Sequence, residues 1–282
     1  MINKLSYIPK NELIRILSIE VSKLQKAELI SLISRINTLY MINKAGSGHI
    51  GTSFSSMDLL SYIFLNFQIT NAKNEDLFFS SKGHDAPGIY SIMSIFDLID
   101  FDTIHNLRML NGLPGHPDIE TPGIITNTGS LGMGISKAKG FINSARLQNV
   151  NRNVIVLLGD GELQEGQIWE AAMSATKFKS NNLIAIIDFN KVAQDNITKD
   201  LKDIEPIEAK WESFGWDVQR IDGHNMDEII RVLQKISHQE KPRVIIADTI
   251  KGKGVSFMEG QTAWHGVAPS KEDYEKALKE LE

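Results

Sequence analysis

Residues 154–190 read VIVLLGDGELQEGQIWEAAMSATKFKSNNLIAIIDFN. Two short apolar runs, 154–158 and 183–188, end on Gly159-Asp160-Gly161 and Asp188-Phe189-Asn190, and a helical pattern over 166–179 lies between them. Continuous apolar runs joined by a helix are the pattern of parallel strands buried on both faces. Outward from this unit, similar runs occur at 77–80 (LFFS), 216–221 (WDVQRI) and 243–248 (RVIIAD), with a second helical pattern at 226–237. The alternation predicts an α/β fold, a doubly wound and mostly parallel sheet with helices on both faces. At the N-terminal side, residues 22–44 place Leu29, Leu32, Ile36, Leu39 and Tyr40 at amphipathic-helix spacing, with Gly46 where the helix stops. We therefore expect one domain over 1–282, with a helical extension over 1–45 and a charged surface tail over 270–282. No internal repeat or low-complexity linker interrupts it.

The chain has 282 residues, is 42% hydrophobic and 23% charged, and carries a formal charge of −5. A chain of that size can bury a core. The charge argues against a nucleic-acid partner, which needs a lysine and arginine excess. No apolar run approaches a membrane span, and the N-terminal stretch mixes charges into its apolar residues, so the expected location is the cytoplasm. The sequence contains no cysteine, which excludes disulfides, thiolate metal sites and a cysteine nucleophile.

Polar and glycine-rich segments follow the apolar runs at Ser80 to His84, Gly159 to Gly161, Asp188 to Asn190, Asp222 to His224 and Lys251 to Gly254. In an open parallel sheet these ends share one edge, where ligands bind. Asp160 and Asn190 close consecutive strands. A carboxylate, an amide oxygen and a nearby backbone carbonyl form a hard oxygen set for Mg2+ or Ca2+ that leaves coordination free for a diphosphate. Either residue alone reads as a turn; the pair at matching strand ends favours metal and diphosphate. TNTGSLGMGISKAKG (126–140) offers small residues Gly132, Gly134, Ala138 and Gly140 for close helix approach, a packing role by default. Four of the seven histidines, His49, His84, His116 and His265, sit beside glycine or in glycine-flanked loops, whereas His105 and His238 have ordinary helical surroundings and His224 also reads as structural. Imidazoles in such loops suit proton transfer. Zinc is disfavoured, because no histidine pair has ligand spacing.

GDGELQEGQIWEAA followed by LIAIIDFN resembles the thiamine-diphosphate motif. Together with SGH, SKGH, PGHPD, TGSLGMGIS and WHG, in this order over about 45–266, the chain resembles transketolase, and most closely the N-terminal subunit of two-chain transketolases. The resemblance implies thiamine diphosphate with Mg2+, for which Ca2+ or Mn2+ can substitute. It implies that Asp160, Asn190 and the carbonyl of Val192 hold the metal, and that Gly161 gives a backbone N–H to the phosphates. His84 and His265 would reach the diphosphate and thiazolium side, while His49 and His116 face sugar hydroxyls. Gly129 and Leu131 would meet the aminopyrimidine, and Glu165 a subunit interface.

The implied reaction moves a two-carbon ketol unit from a ketose or its phosphate to an aldose, with the hard chemistry carried by the cofactor. The family's activating glutamate and phosphate-gripping arginines lie in a domain that this sequence does not contain. The resemblance therefore implies a heterotetramer with a separate C-terminal, pyrimidine-binding subunit, and neither nucleic acid nor membrane as a partner. Ile50, where proline usually follows SGH, and Met133, where glutamine is usual, depart from the pattern. Other readings are a pathway-specific ketol transferase, a deoxyxylulose phosphate synthase-like condensation (disfavoured by WHG and PGHPD), and a non-catalytic cofactor-binding or regulatory module. A nicotinamide-binding Rossmann fold is disfavoured because GSLGMG follows no clear strand.

Overall fold

The computed structural model describes residues 6–67, 69, 75–192, 204–234 and 240–282. All five expected strands form: β1 (Leu77–Ser80), β2 (Val154–Gly159), β3 (Leu183–Phe189), β4 (Asp217–Asp222) and β5 (Arg243–Asp248). They pair in parallel, in the order β1-β2-β3-β5-β4. Gly159 pairs with Asp188, so the loops carrying Asp160 and Asn190 leave the sheet side by side.

Side-chain alternation along the strands builds two cores. Val154, Val156 and Leu158 of β2, with Leu183, Ala185 and Ile187 of β3, face α6 (Gly134–Leu147), α7 (Gly166–Lys177) and α8 (Ile207–Ser213). Ile155, Leu157, Ile184 and Ile186 face the other way. On that side pack α1 (Lys10–Ser18), α2 (Lys23–Ala45), α3 (Ile50–Ser55), α4 (Met57–Phe67), α5 (Ala86–Ile95), α9 (Met226–Gln234) and α10 (Lys271–Leu281). Strands with both faces covered have no room for polar residues, which is why they read as unbroken apolar runs. Among the described residues no helix is long and apolar enough to cross a membrane.

Three expectations need correction. The helix expected over 22–44 forms and carries a capping box between Ser22 and Gln25, but it is no one-faced amphipathic helix. Leu32 is 36% exposed, while Ile30 and Ile33 are buried together with Ser31, Ser34, Asn37 and Thr38. The reason is contact on several sides, with α3, α4, α5, α9 and α10, so small polar residues are buried along with the apolar stripe. The tail over 270–282 is not simply surface: α10 is capped by Ser270 and buries Tyr274, Ala277 and Leu281 beside α2. Gly140 has no close-packing role, since a Cβ there would meet none of the described residues; Gly134 does fit that role, its Cβ position lying 2.5 Å from Ser81.

Candidate functional site

The C-terminal strand ends surround a cleft of about 410 Å³. His49, His84, His116, Gly129, Leu131, Asp160, Gly161, Asn190, Val192 and His265 all line it. Glu165 does not: it is exposed at the N-cap of α7. His105 belongs to an aromatic cluster with Tyr7, Tyr40 and Phe101, its Nδ1 2.7 Å from the Tyr40 hydroxyl. His224 is a structural clamp, with Nδ1 2.7 Å from Asp58 and Nε2 accepting from Ile250 N–H at 2.8 Å. His238 lies outside the described residues.

At the end of β1, Gly83 adopts φ +68, and a Cβ there would stand 2.8 Å from Thr128 Oγ1 and 3.0 Å from the His116 ring. Glycine thus lets the chain turn into His84 while His116 closes over it. The rings of His49, His84 and His265 have centroids 5.2 to 5.6 Å apart. Nδ1 of His84 donates to the Lys82 carbonyl at 2.7 Å, because a carbonyl can only accept, and its Nε2 is left as an acceptor. Burial, then the nearby Lys82 charge, depresses His84 to about 3. Burial followed by the Arg108 charge brings His49 down to about 4. Burial, again followed by Arg108, lowers His116. These three imidazoles are neutral at physiological pH and can accept protons.

Asp160 accepts from Gly161 N–H at 2.8 Å and from Lys191 N–H at 2.7 Å, which fixes its carboxylate. Asn190 donates from Nδ2 to Asp188 at 3.3 Å, leaving Oδ1 within 3.2 Å of Val192 N–H. Lys251 Nζ donates to the Val192 carbonyl at 2.9 Å and lies 2.6 Å from His265 Nδ1. Burial lowers Lys251 to about 8, with Asp160 acting the other way. A side-chain cation therefore already stands among the oxygens expected to hold a metal. The donor set of one carboxylate, one amide and one carbonyl fits a hard divalent ion that shares its shell with phosphate. Among the described residues no group of three or more His, Cys, Asp or Glu forms a rival metal site. Gln164 Nε2 and His49 Nδ1 are buried in the cleft lining with no hydrogen-bond partner among the described residues, as expected of a surface shaped for a polar ligand.

Several lining residues went unnoticed in the sequence. Lys82, 1% exposed, bonds to Asp188 at 2.6 Å, to Thr52 Oγ1 at 3.0 Å, and lies 3.5 Å from Asp85. Burial opposes its charge, but Asp188 and Asp85 outweigh it and hold Lys82 above its ordinary value. Glu162 accepts from Gly132 N–H at 2.9 Å and Gly159 N–H at 3.2 Å and bonds to Ser81, which ties three lining segments together. Burial raises its pKa. Lys82 and Lys251 were visible as lysines directly beyond strand-like runs. Glu162 left no signal apart from its place in the GDGE turn.

The family profile described as "Transketolase, thiamine diphosphate binding domain" matches residues 26–281. A 6-deoxy-6-sulfo-D-fructose transketolase subunit from a Clostridium species is 39% identical over 253 residues, covering 87% of this chain and 92% of its own length. One subunit of an apulose-4-phosphate transketolase from Phocaeicola vulgatus is 36% identical over 266 residues, covering 92% and 95%. The crystal structure of Campylobacter jejuni transketolase superposes with a TM-score of 0.84 at 31% identity, over 93% of this chain but only 43% of the larger one. The profile spans nearly the whole chain and the two subunit relatives align along most of theirs, so the chain belongs to the transketolase family, as an N-terminal, thiamine-diphosphate-binding part of a thiamine-diphosphate-dependent transferase.

Proposed function

We propose that this chain is the diphosphate-binding subunit of a two-chain, cytoplasmic transketolase that moves a two-carbon ketol unit from a ketose, or its phosphate, to an aldose. The observation that carries the reading is that Asp160, Asn190 and Val192 line one cleft with the clustered histidines, where the Val192 carbonyl already accepts from the Lys251 ammonium. In this reading those oxygens hold Mg2+, with Ca2+ or Mn2+ able to substitute, and Gly161 N–H and Lys251 meet the diphosphate. When bound, the cofactor supplies a carbanion that forms and breaks the carbon–carbon bonds.

The chain's residues do the rest. His84 and His265 flank the thiazolium side, and His49 and His116 accept and return protons at the sugar hydroxyls, a role that suits imidazoles held neutral. Gly129 and Leu131 form the aminopyrimidine wall. Glu165, exposed here, meets the partner. That partner is a separate C-terminal, pyrimidine-binding subunit, and the assembly is a heterotetramer. Support for a partner comes from relatives named as subunits and from the 43% share of a one-chain transketolase that this chain covers. The names of those relatives also favour a sugar bearing a terminal anion.

Affinity capture from the native cell extract, with the bound protein identified by mass spectrometry, tests this. Recovery of a pyrimidine-binding subunit, with ketol transfer appearing on mixing, is the expected result. Absence of any such partner favours a non-catalytic cofactor-binding module instead.

A further inference from the structure

Arg108 lies outside every motif discussed above, yet it touches both loops that carry the sugar-facing histidines. Its Nη1 donates to Ser47 Oγ at 2.5 Å, two residues before His49. Its Nε lies 3.0 Å from where a Cβ on Gly115 would stand, one residue before His116, so the guanidinium lies close against that loop. Its backbone adopts φ +58, a conformation that costs a non-glycine residue about 1 kcal/mol or more. A loop bond holds it there, since Arg108 N–H donates to Leu113 O at 2.7 Å. Planar guanidinium can bridge two loops where a lysine cannot.

We propose that Arg108 is a positioning residue, a clasp that joins the Ser47–His49 loop to the Gly115–His116 loop and sets the spacing of the two imidazoles at the cleft mouth. The inference rests on the reading of His49 and His116 as the sugar-facing pair.

The electrostatics agree with the geometry. After burial, Arg108 is the leading charge that lowers both His49 and His116. Around His49 stand Lys251 and His116, which act in the same direction, Asp85, which opposes, and the rings of His84 and His265. Around His116 stand Arg108 and Asp85. Loss of the Arg108 charge therefore raises both histidines, and the acid limb of kcat/KM moves to higher pH, because the neutral forms are lost sooner as the pH falls.

NMR titration of the histidines in the full chain, comparing wild type with Arg108→Gln and Arg108→Lys, reads the effect directly. In Arg108→Gln, His49 and His116 should titrate at higher pH. Arg108→Lys should keep the titrations near wild type. In the assembled enzyme both variants should lower kcat/KM, Arg108→Gln by about tenfold, with thiamine diphosphate affinity unchanged. Unshifted His49 and His116 in Arg108→Gln overturn the clasp. An inactive wild-type assembly overturns the transferase reading instead, and leaves the titration to judge the clasp by itself.

Discussion

The ammonium of Lys251 donates to the carbonyl oxygen of Val192 across 2.9 Å, at one of the three oxygens proposed to hold a divalent ion. A buried lysine in that position neutralises Asp160 when no metal is present. It also competes with one, because two cations cannot share the same oxygen at close range.

Lys251→Met is nearly isosteric and removes the competitor. Mn2+ added without cofactor should then bind more tightly, by roughly tenfold, since a like charge a few ångströms away costs on the order of 1–4 kcal/mol at a protein surface. Electron paramagnetic resonance of bound Mn2+ measures this. Equal or weaker binding would place the metal elsewhere.

The buried Lys82–Asp188 pair should prove costly to break. Burial works against the Asp188 charge, yet Lys82 outweighs it and holds the carboxyl below its ordinary value. Lys82→Met leaves Asp188 and Asp85 buried without their cation. Removing one partner of a buried pair costs about 3–5 kcal/mol, so urea unfolding should show that loss. A stability within about 1 kcal/mol of wild type, on the order of an exposed pair, would mean that water already reaches these groups.

Glu162→Gln tests the knot between the strand ends. The carboxyl accepts from two backbone N–H groups, at Gly132 and Gly159. An amide offers one oxygen, so its NH2 must face one of those donors, at a cost of about 1–3 kcal/mol. Amide exchange at Gly132 or at Gly159 should accelerate, because one of the two N–H groups loses its acceptor. Unchanged exchange and stability would show that the loop holds without Glu162.

The pH dependence of stability carries a sign that follows from His84. Its folded pKa is depressed from 6.5 to about 3. Above 6.5 both states are neutral and the full stability is present; as the pH falls, the unfolded chain takes up a proton that the folded chain refuses, and stability is lost. Glu162 and Asp85, both raised by burial, act in the opposite direction, so the comparison must be between wild type and His84→Gln. Between about pH 6 and 4 the wild-type unfolding free energy should fall more steeply, by about 1.4 kcal/mol per pH unit. Parallel slopes would mean that His84 titrates normally.

Much of this was legible in the sequence for a physical reason. Strands covered on both faces must be apolar throughout, and Val154–Leu158 and Leu183–Ile187 are. The residues beyond them are freed from that constraint, which is why Asp160, Asn190 and the histidine loops stood out. Burial inside α2 was not legible, because a helix packed on several sides loses the one-faced period on which the reading relied. Neither was the role of Lys82, Glu162 or Arg108. Their partners lie 106, 81 and 61 residues away in Asp188, Ser81 and Ser47, and pairing over such separations leaves no local pattern.

In the proposed function Asp160, Asn190 and Val192 hold a divalent ion for thiamine diphosphate. Calorimetric titration of thiamine diphosphate into the chain mixed with its captured partner, with and without Mg2+, for wild type and Asp160→Ala, tests it most directly. Saturable binding that needs Mg2+ in the wild type and is lost in Asp160→Ala is the expected result. Equal affinity in the two proteins, or binding indifferent to Mg2+, would contradict it.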